Sequence, residues 1–132
     1  MQVKVLSIQN PWASLVLKGL KSIELRTWRT RFRGIFYIHV TRQKPGSPPS
    51  TRALEEINQF PVGSICGRAT LTDVKRYGTR FELHQDLYEH LVDCVDYNYP
   101  LYGWRLVNIE ILEKPIPAKG RLGFWRYELE NP

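Results

Sequence analysis

The chain has few of the residues that cross-link small proteins or bind metals. Among its 132 residues are only two cysteines, Cys66 and Cys94, without C-x-x-C spacing and without neighbouring histidines. Zinc sites need such clusters, so we expect no metal site and no cofactor. We interpret the two cysteines as free thiols, buried or partly buried, in a reducing cytosol. A disulfide between them is the alternative.

Long apolar runs are also absent. No run approaches the roughly 18 residues of a membrane-spanning helix, and the lysine-interrupted start from Met1 to Gln9 lacks the apolar core of a signal peptide. We therefore expect a cytoplasmic protein with no membrane partner. The length fits one domain over residues 1–132, which can bury a core without cross-links. No linker, repeat or low-complexity tract divides it.

Acidic residues are almost missing from one segment and dominate another. Between residues 18 and 52, nine lysines and arginines accompany a single acidic residue, Glu24, a balance of +8. Between residues 79 and 96, five acidic residues accompany one arginine, a balance of −4. The arginine-rich segment with interspersed aromatics is typical of a face for a polyanion, with nucleic acid favoured. Solubility, with pairing between the two segments, is the alternative.

The hydrophobic pattern predicts a β-rich domain with helices inserted at irregular intervals. Strands are predicted over 3–9, 22–28, 35–40, 64–75, 101–112 and 124–129, and helices over 11–18 and 51–60, with an amphipathic acidic helix around 81–92. We expect Pro115 and Pro117 to separate the last two strands. This order argues against a doubly wound parallel sheet. We predict an α+β fold, a small and mostly antiparallel β-barrel with helices on its rim, because closure removes exposed strand edges.

Residues 19–26 carry the most informative motif, G-x-K-x-x-E-x-R. It lies where the first predicted helix ends and the second predicted strand begins. Because side chains alternate along a strand, Ser22, Glu24 and Arg26 are expected on one face. Lys21, on the turn, is expected to lean over that face. The motif therefore predicts a cluster of opposite charges held on regular backbone.

This motif resembles the signature of the ASCH domain family, and the likeness extends beyond it. The supporting residues are Asn10-Pro11-Trp12-Ala13-Ser14-Leu15, Trp28, Arg33-Gly34, Gly103-Trp104 and Pro115 to Gly120. The likeness covers roughly Val3 to Trp125. It implies a PUA-like β-barrel with a cleft between the first helix, the motif strand and the barrel mouth. It also implies that RNA, DNA or a nucleotide-sized ligand binds there.

Under this hypothesis the cleft residues have distinct roles. Phosphate contacts are expected from Lys21, Arg26, Arg29, Arg31 and Arg33. Glu24 would accept a hydrogen bond from a base edge or ribose, Trp12 or Trp28 would stack on a base, and Trp104 is a further candidate for the lining. The alternatives are structural: Glu24 would pair with Arg26 or Lys21, and the tryptophans would belong to the core.

Two other functions remain open. The resemblance includes ribonucleases and a branch that removes acyl groups from modified cytidine by means of a lysine, a threonine and a glutamate. That lysine matches Lys21, whereas the threonine position is Glu24 here, and an enzyme of either type would use these two as its reacting or acid–base pair. The third hypothesis is an adaptor whose basic face meets an acidic protein partner. His39, His84 and His90 have no serine or cysteine at catalytic spacing and receive no role.

Overall fold

A computed structural model describes residues 1–45, 58–93 and 98–130. These residues form six strands and three short helices. The strands are β1 (Gln2–Gln9), β2 (Ile23–Arg26), β3 (Gly34–Thr41), β4 (Ser64–Tyr77), β5 (Leu101–Pro117) and β6 (Phe124–Glu128). The helices are α1 (Trp12–Leu17), α2 (Arg80–Gln85) and α3 (Leu87–His90). The predicted α+β class is confirmed; most of the helix predicted over 51–60, and Cys94, lie outside the described residues.

The six strands form one sheet in the order β2-β5-β4-β3-β1-β6. All neighbours are antiparallel except β1 and β3, which run parallel. β2 and β6 lie at the two ends of this order, so the described sheet is not closed by hydrogen bonds. Side chains bridge these ends instead: the ring of Trp28, just after β2, lies 5.9 Å from that of Phe124 in β6.

An aromatic cluster holds the two ends of the sheet together. Trp104 is fully buried, with its ring 4.7 Å from Trp28 in a T-shaped contact and 5.5 Å from Phe124 in a stacked one. Its indole N–H donates to the Trp28 carbonyl oxygen at 3.3 Å. Aromatic pairs of this kind stabilise a core by about 0.5–1.5 kcal/mol beyond simple burial. The cluster therefore fixes the backbone that follows the motif strand.

β5 continues through the prolines that were expected to end it. Its register against β4 slips here, because Ile65 pairs with Ile116 whereas Gly67 pairs with Ile111. Pro115 lies in this irregular stretch, where a missing N–H removes no hydrogen bond from a regular ladder. The strand therefore continues through Pro115 and ends at Pro117, which pairs with Ser64.

The acidic segment differs from the single amphipathic helix that the pattern predicts. Thr79 Oγ1 accepts from the Glu82 backbone N–H at 3.2 Å and begins α2 there, and Leu91 ends α3 with φ of 62°. Leu83 provides the buried contact, whereas Phe81 is 73% exposed. The segment therefore forms two short helices instead of one continuous amphipathic helix.

Two structural observations concern the absences noted in the sequence. Within the described ranges, no helix is long and apolar enough to cross a membrane. Those ranges also contain no group of three histidine, cysteine, aspartate or glutamate side chains arranged to hold a metal ion. Cys66 is a buried free thiol, and burial raises its pKa.

Candidate functional site

A cavity of about 670 Å³ opens beside the motif strand. Its walls come from the end of β1, the first turn of α1, β2 with the residues that follow it, and the loop 120–123. Small-molecule sites in proteins commonly occupy about 300–1,000 Å³. The cavity therefore has the size of a nucleotide site.

Asn10 fixes the entry to α1 and thereby the position of Trp12. Its side-chain oxygen accepts from the Ser14 backbone N–H at 3.2 Å and from the Ser14 hydroxyl at 2.6 Å. Pro11 precedes the helix, which begins at Trp12, one residue after the predicted start. Trp12 is mostly buried in the core and still lines the cavity.

Glu24 and Arg26 lie together on the cavity side of β2, on one face as the alternation predicts. A Glu24 carboxylate oxygen lies 3.2 Å from Arg26 Nη2, which also donates to the Ser7 carbonyl oxygen at 2.8 Å. Arg26 Nε is buried and has no hydrogen-bond partner among the described residues. The cavity wall thus contains the Glu24 carboxylate and part of the Arg26 guanidinium, whereas Arg26 Nε is buried behind that surface.

Lys21 lies behind this wall rather than in the cavity. Its side chain is fully buried, and Nζ donates to the His90 carbonyl oxygen, lies 4.0 Å from Glu24 Oε1 and is 4.9 Å from the ring centroid of Trp12. Burial lowers the pKa of Lys21 to about 8, with Glu24 raising it and Arg26 lowering it further. In this arrangement Lys21 packs against Glu24 and Trp12 and does not line the cavity.

The acidic segment is attached to the motif through backbone groups of α3. The Ser22 N–H donates to the Glu89 carbonyl oxygen at 2.9 Å, next to the bond from Lys21 to His90. The Glu89 carboxylate in turn accepts from Arg105 at 2.9 Å. Two described acidic side chains thus pair within the molecule, Asp86 with Lys75 and Glu89 with Arg105, but both cations lie outside the basic segment 18–52. These ion pairs are therefore not the pairing between the two segments that the structural alternative expects.

His90 is a structural residue that sequence reasoning left without a role. It is fully buried; Nδ1 accepts from the Val92 N–H at 3.0 Å, so the proton lies on Nε2, which donates to the Leu83 carbonyl oxygen at 2.7 Å. Burial lowers the pKa of this imidazole. The neutral ring fixes the turn whose carbonyl group binds Lys21.

The other predicted residues separate into cavity and surface positions. Trp28 is half-buried and lines the cavity beside Trp12, whereas Trp104 lies beneath it in the core. Arg29, Arg31 and Arg33 are exposed on the segment after Trp28 and do not line the cavity. The Arg33 guanidinium donates to two carbonyl oxygens of its own loop at 2.8 Å.

The structure adds residues that the motif did not indicate. Lys44, Arg121 and Leu122 lie at the cavity wall, and Ser7 joins them from β1. Gly120 and Gly123 predict a loop, but they do not predict that this loop lies at the cavity.

The comparisons with known proteins agree with the fold. The sequence model of the ASCH domain family matches residues 6–116. Human activating signal cointegrator 1 is 35% identical over 80 residues, covering 52% of this chain and 14% of that protein. The mouse protein is 34% identical over 80 residues, which again cover 52% of this chain and 14% of that protein. The crystal structure of ASCH from Zymomonas mobilis matches with a TM-score of 0.64 and 13% identity, over 95% of this chain and 87% of that one. The region aligned with human activating signal cointegrator 1 covers only 14% of that protein. The family model covers most of this chain, and the chain therefore belongs to the ASCH domain family.

Proposed function

We propose that this ASCH domain binds RNA or single-stranded DNA and takes one nucleotide into the cavity beside the motif. The observation that carries the proposal is the cavity itself, which has nucleotide size, tryptophan in its wall and the Glu24–Arg26 pair facing it. Single-stranded nucleic acids are recognised by this combination of stacking and base-edge hydrogen bonds.

The roles of the wall residues follow from their chemistry. Trp12 and Trp28 provide the aromatic surface, and stacking on such a surface contributes about 1–3 kcal/mol per base. Glu24 accepts a hydrogen bond from an N–H or O–H of the base or ribose. The Arg26 guanidinium, whose side chain is 21% exposed at the cavity wall, donates to an acceptor of the same nucleotide.

Exposed cations provide the phosphate contacts. Lys44 and Arg121 lie at the cavity, and a strand leaving it meets the segment with Arg29, Arg31 and Arg33. We assign no phosphate contact to Lys21, because its ammonium group is buried against His90 and Glu24.

We also propose how the sheet is closed, that the chain forms one domain, and in which cellular compartment it lies. We infer that the sheet is a PUA-like barrel whose two free edges are joined by aromatic packing instead of hydrogen bonds. The pairing of β1 with β6 brings the first and last strands into one sheet, which supports a single domain over residues 1–132. The free thiol of Cys66 supports a reducing, cytoplasmic setting.

Binding is expected to depend strongly on salt. Each phosphate neutralised on a single strand contributes a slope of about −0.7 in log affinity against log salt. Replacing Arg31 with glutamine is expected to weaken binding and to reduce the magnitude of the slope by nearly that amount. The measurement is fluorescence anisotropy with labelled RNA and DNA at several salt concentrations.

Arg80→Gln is the matched control, because it removes the same charge from an exposed position on α2 away from the cavity. It is expected to keep the wild-type slope. A flat salt dependence, or no binding at low salt, contradicts the proposal and favours an adaptor for an acidic protein.

A hydrolase acting on RNA or a modified nucleoside is the second candidate, and the lowered pKa of Lys21 is the observation that favours it. We expect no product from short RNAs or acylated cytidine, because Lys21 is not part of the cavity wall. Chromatography of the reaction mixtures tests this expectation. Product formed by the wild type and lost in Lys21→Ala, with Lys75→Ala as the control, would establish the enzyme instead.

A further inference from the structure

Leu122 is a large apolar side chain held in solvent at the edge of the cavity. It is 92% exposed and lies in the wall between Gly120 and Gly123, next to the cation Arg121. A single exposed leucine is ordinary on a protein surface and needs no explanation by itself. Its place beside the cavity, on a loop that is fixed at both ends, does need an explanation.

The first end of the loop is anchored to β1 and β3. His39 Nε2 donates to the Ala118 carbonyl oxygen at 2.7 Å, while Nδ1 accepts from the Ser7 hydroxyl at 3.0 Å. Gly120 lies directly against this pair, since a Cβ added there would be 2.9 Å from His39 Cε1 and 3.0 Å from Ser7 Oγ. Only glycine permits this close approach of the backbone.

The second end is anchored in the aromatic cluster. Gly123 turns the chain with φ of +63°, a conformation that favours glycine. The next residue, Phe124, packs its ring 5.5 Å from Trp104 and 5.3 Å from Phe32. Because both ends of the loop are fixed, the fold itself holds Leu122 in an exposed position, and fraying of the loop does not explain it.

We infer that Leu122 is a wedge that enters the base stack of a bound strand. The inference rests on the proposed function. A base that rotates into the cavity leaves a gap between its neighbours and costs a few kcal/mol in lost stacking. Leucine is among the apolar side chains that proteins insert between base steps, and it refills such a gap. Arg121 lies beside it to contact the adjoining phosphate. The ligand is therefore a stacked strand from which one nucleotide is extruded, and not a free nucleotide.

The test compares Leu122→Ala with wild type on two ligands. A nucleoside monophosphate occupies the cavity only, and its affinity is expected to fall far less than that of a strand, because Leu122 contributes to it only as part of the wall. A short single-stranded oligonucleotide with 2-aminopurine reports unstacking by a rise in fluorescence. For this ligand the variant is expected to bind about tenfold more weakly, through lost apolar contact, and to lose most of the fluorescence rise.

Two further variants separate a wedge from general apolar stickiness. Leu122→Met keeps the apolar volume and is expected to behave like wild type. Ile111→Ala removes a similar side chain from β5, 54% exposed and outside the cavity wall, and is expected to change neither ligand's affinity.

The outcomes distinguish this inference from the proposed function. Wild type that binds neither ligand overturns both. Leu122→Ala that binds the oligonucleotide like wild type, with the fluorescence rise intact, overturns the wedge and leaves the cavity proposal standing. Equal losses for both ligands would make Leu122 a simple wall residue and also overturn the wedge.

Discussion

Replacing Glu24 with glutamine is expected to lower the free energy of unfolding by about 3–5 kcal/mol, and the melting temperature by on the order of 10–20 °C. The carboxylate is buried 3.2 Å from the Arg26 guanidinium and 4.0 Å from the Lys21 ammonium. Removal of its charge leaves the fully buried Lys21 ammonium and the partly buried Arg26 guanidinium without this counter-ion. The loss therefore exceeds that of an ordinary surface ion pair.

Thermal and urea unfolding of the purified domain measure this loss. Glu110→Gln is the matched control, because Glu110 also pairs with an arginine, Arg68 at 2.6 Å, but is 61% exposed. A pair so exposed contributes at most about 1 kcal/mol. An unchanged melting temperature for Glu24→Gln, with weakened nucleotide binding, would show that Glu24 contacts ligand without anchoring the site.

Stability is expected to rise with pH between about 8 and 10, by roughly 2–3 kcal/mol. The pKa of Lys21 falls to about 8 in the folded protein because of burial, against an ordinary value of 10.5. Over this window the unfolded lysine holds a proton that the folded one has released. The unfolded state therefore binds more protons, and raising the pH favours folding.

The upper limit of the window comes from Tyr77. Burial, together with a 2.6 Å hydrogen bond to Asp86, raises the pKa of this phenol. Above about pH 10 the unfolded tyrosine loses its proton while the folded one retains it, which lowers stability. Urea unfolding at stepped pH values checks the profile. Lys21→Met should lack the rise between pH 8 and 10, and parallel profiles for variant and wild type would contradict the assigned pKa.

The local sequence pattern predicts much of the fold and, within the site, the pair of Glu24 and Arg26. Period-two alternation places Glu24 and Arg26 on one face of β2, and the observed ion pair confirms it. The turn after Gly19, the strand order along the chain and the helix after Asn10 also follow from short-range signals. Strand ends are less well defined by pattern, since β4 extends two residues and β5 five residues beyond the predicted ends.

Long-range packing decides what the pattern does not. Lys21 looks like a solvated cation on a turn, yet it is buried because α3, from a segment 69 residues later in the chain, covers it with the His90 carbonyl group. Trp104 and Trp28 have similar sequence surroundings, but only Trp28 reaches the cavity because Trp104 fills the gap between the sheet ends. The loop 120–123 meets the cavity only once β6 pairs with β1. None of these contacts has a periodic signal in the sequence.

A crystal structure of the domain with a short single-stranded RNA would show directly whether a nucleotide enters the cavity. We expect one base inside the cavity, against Trp12 or Trp28 and within hydrogen-bond distance of the Glu24 carboxylate. We also expect backbone phosphates beside the exposed cations of the rim. A strand bound elsewhere on the basic surface, with no nucleotide in the cavity, would contradict the proposed function.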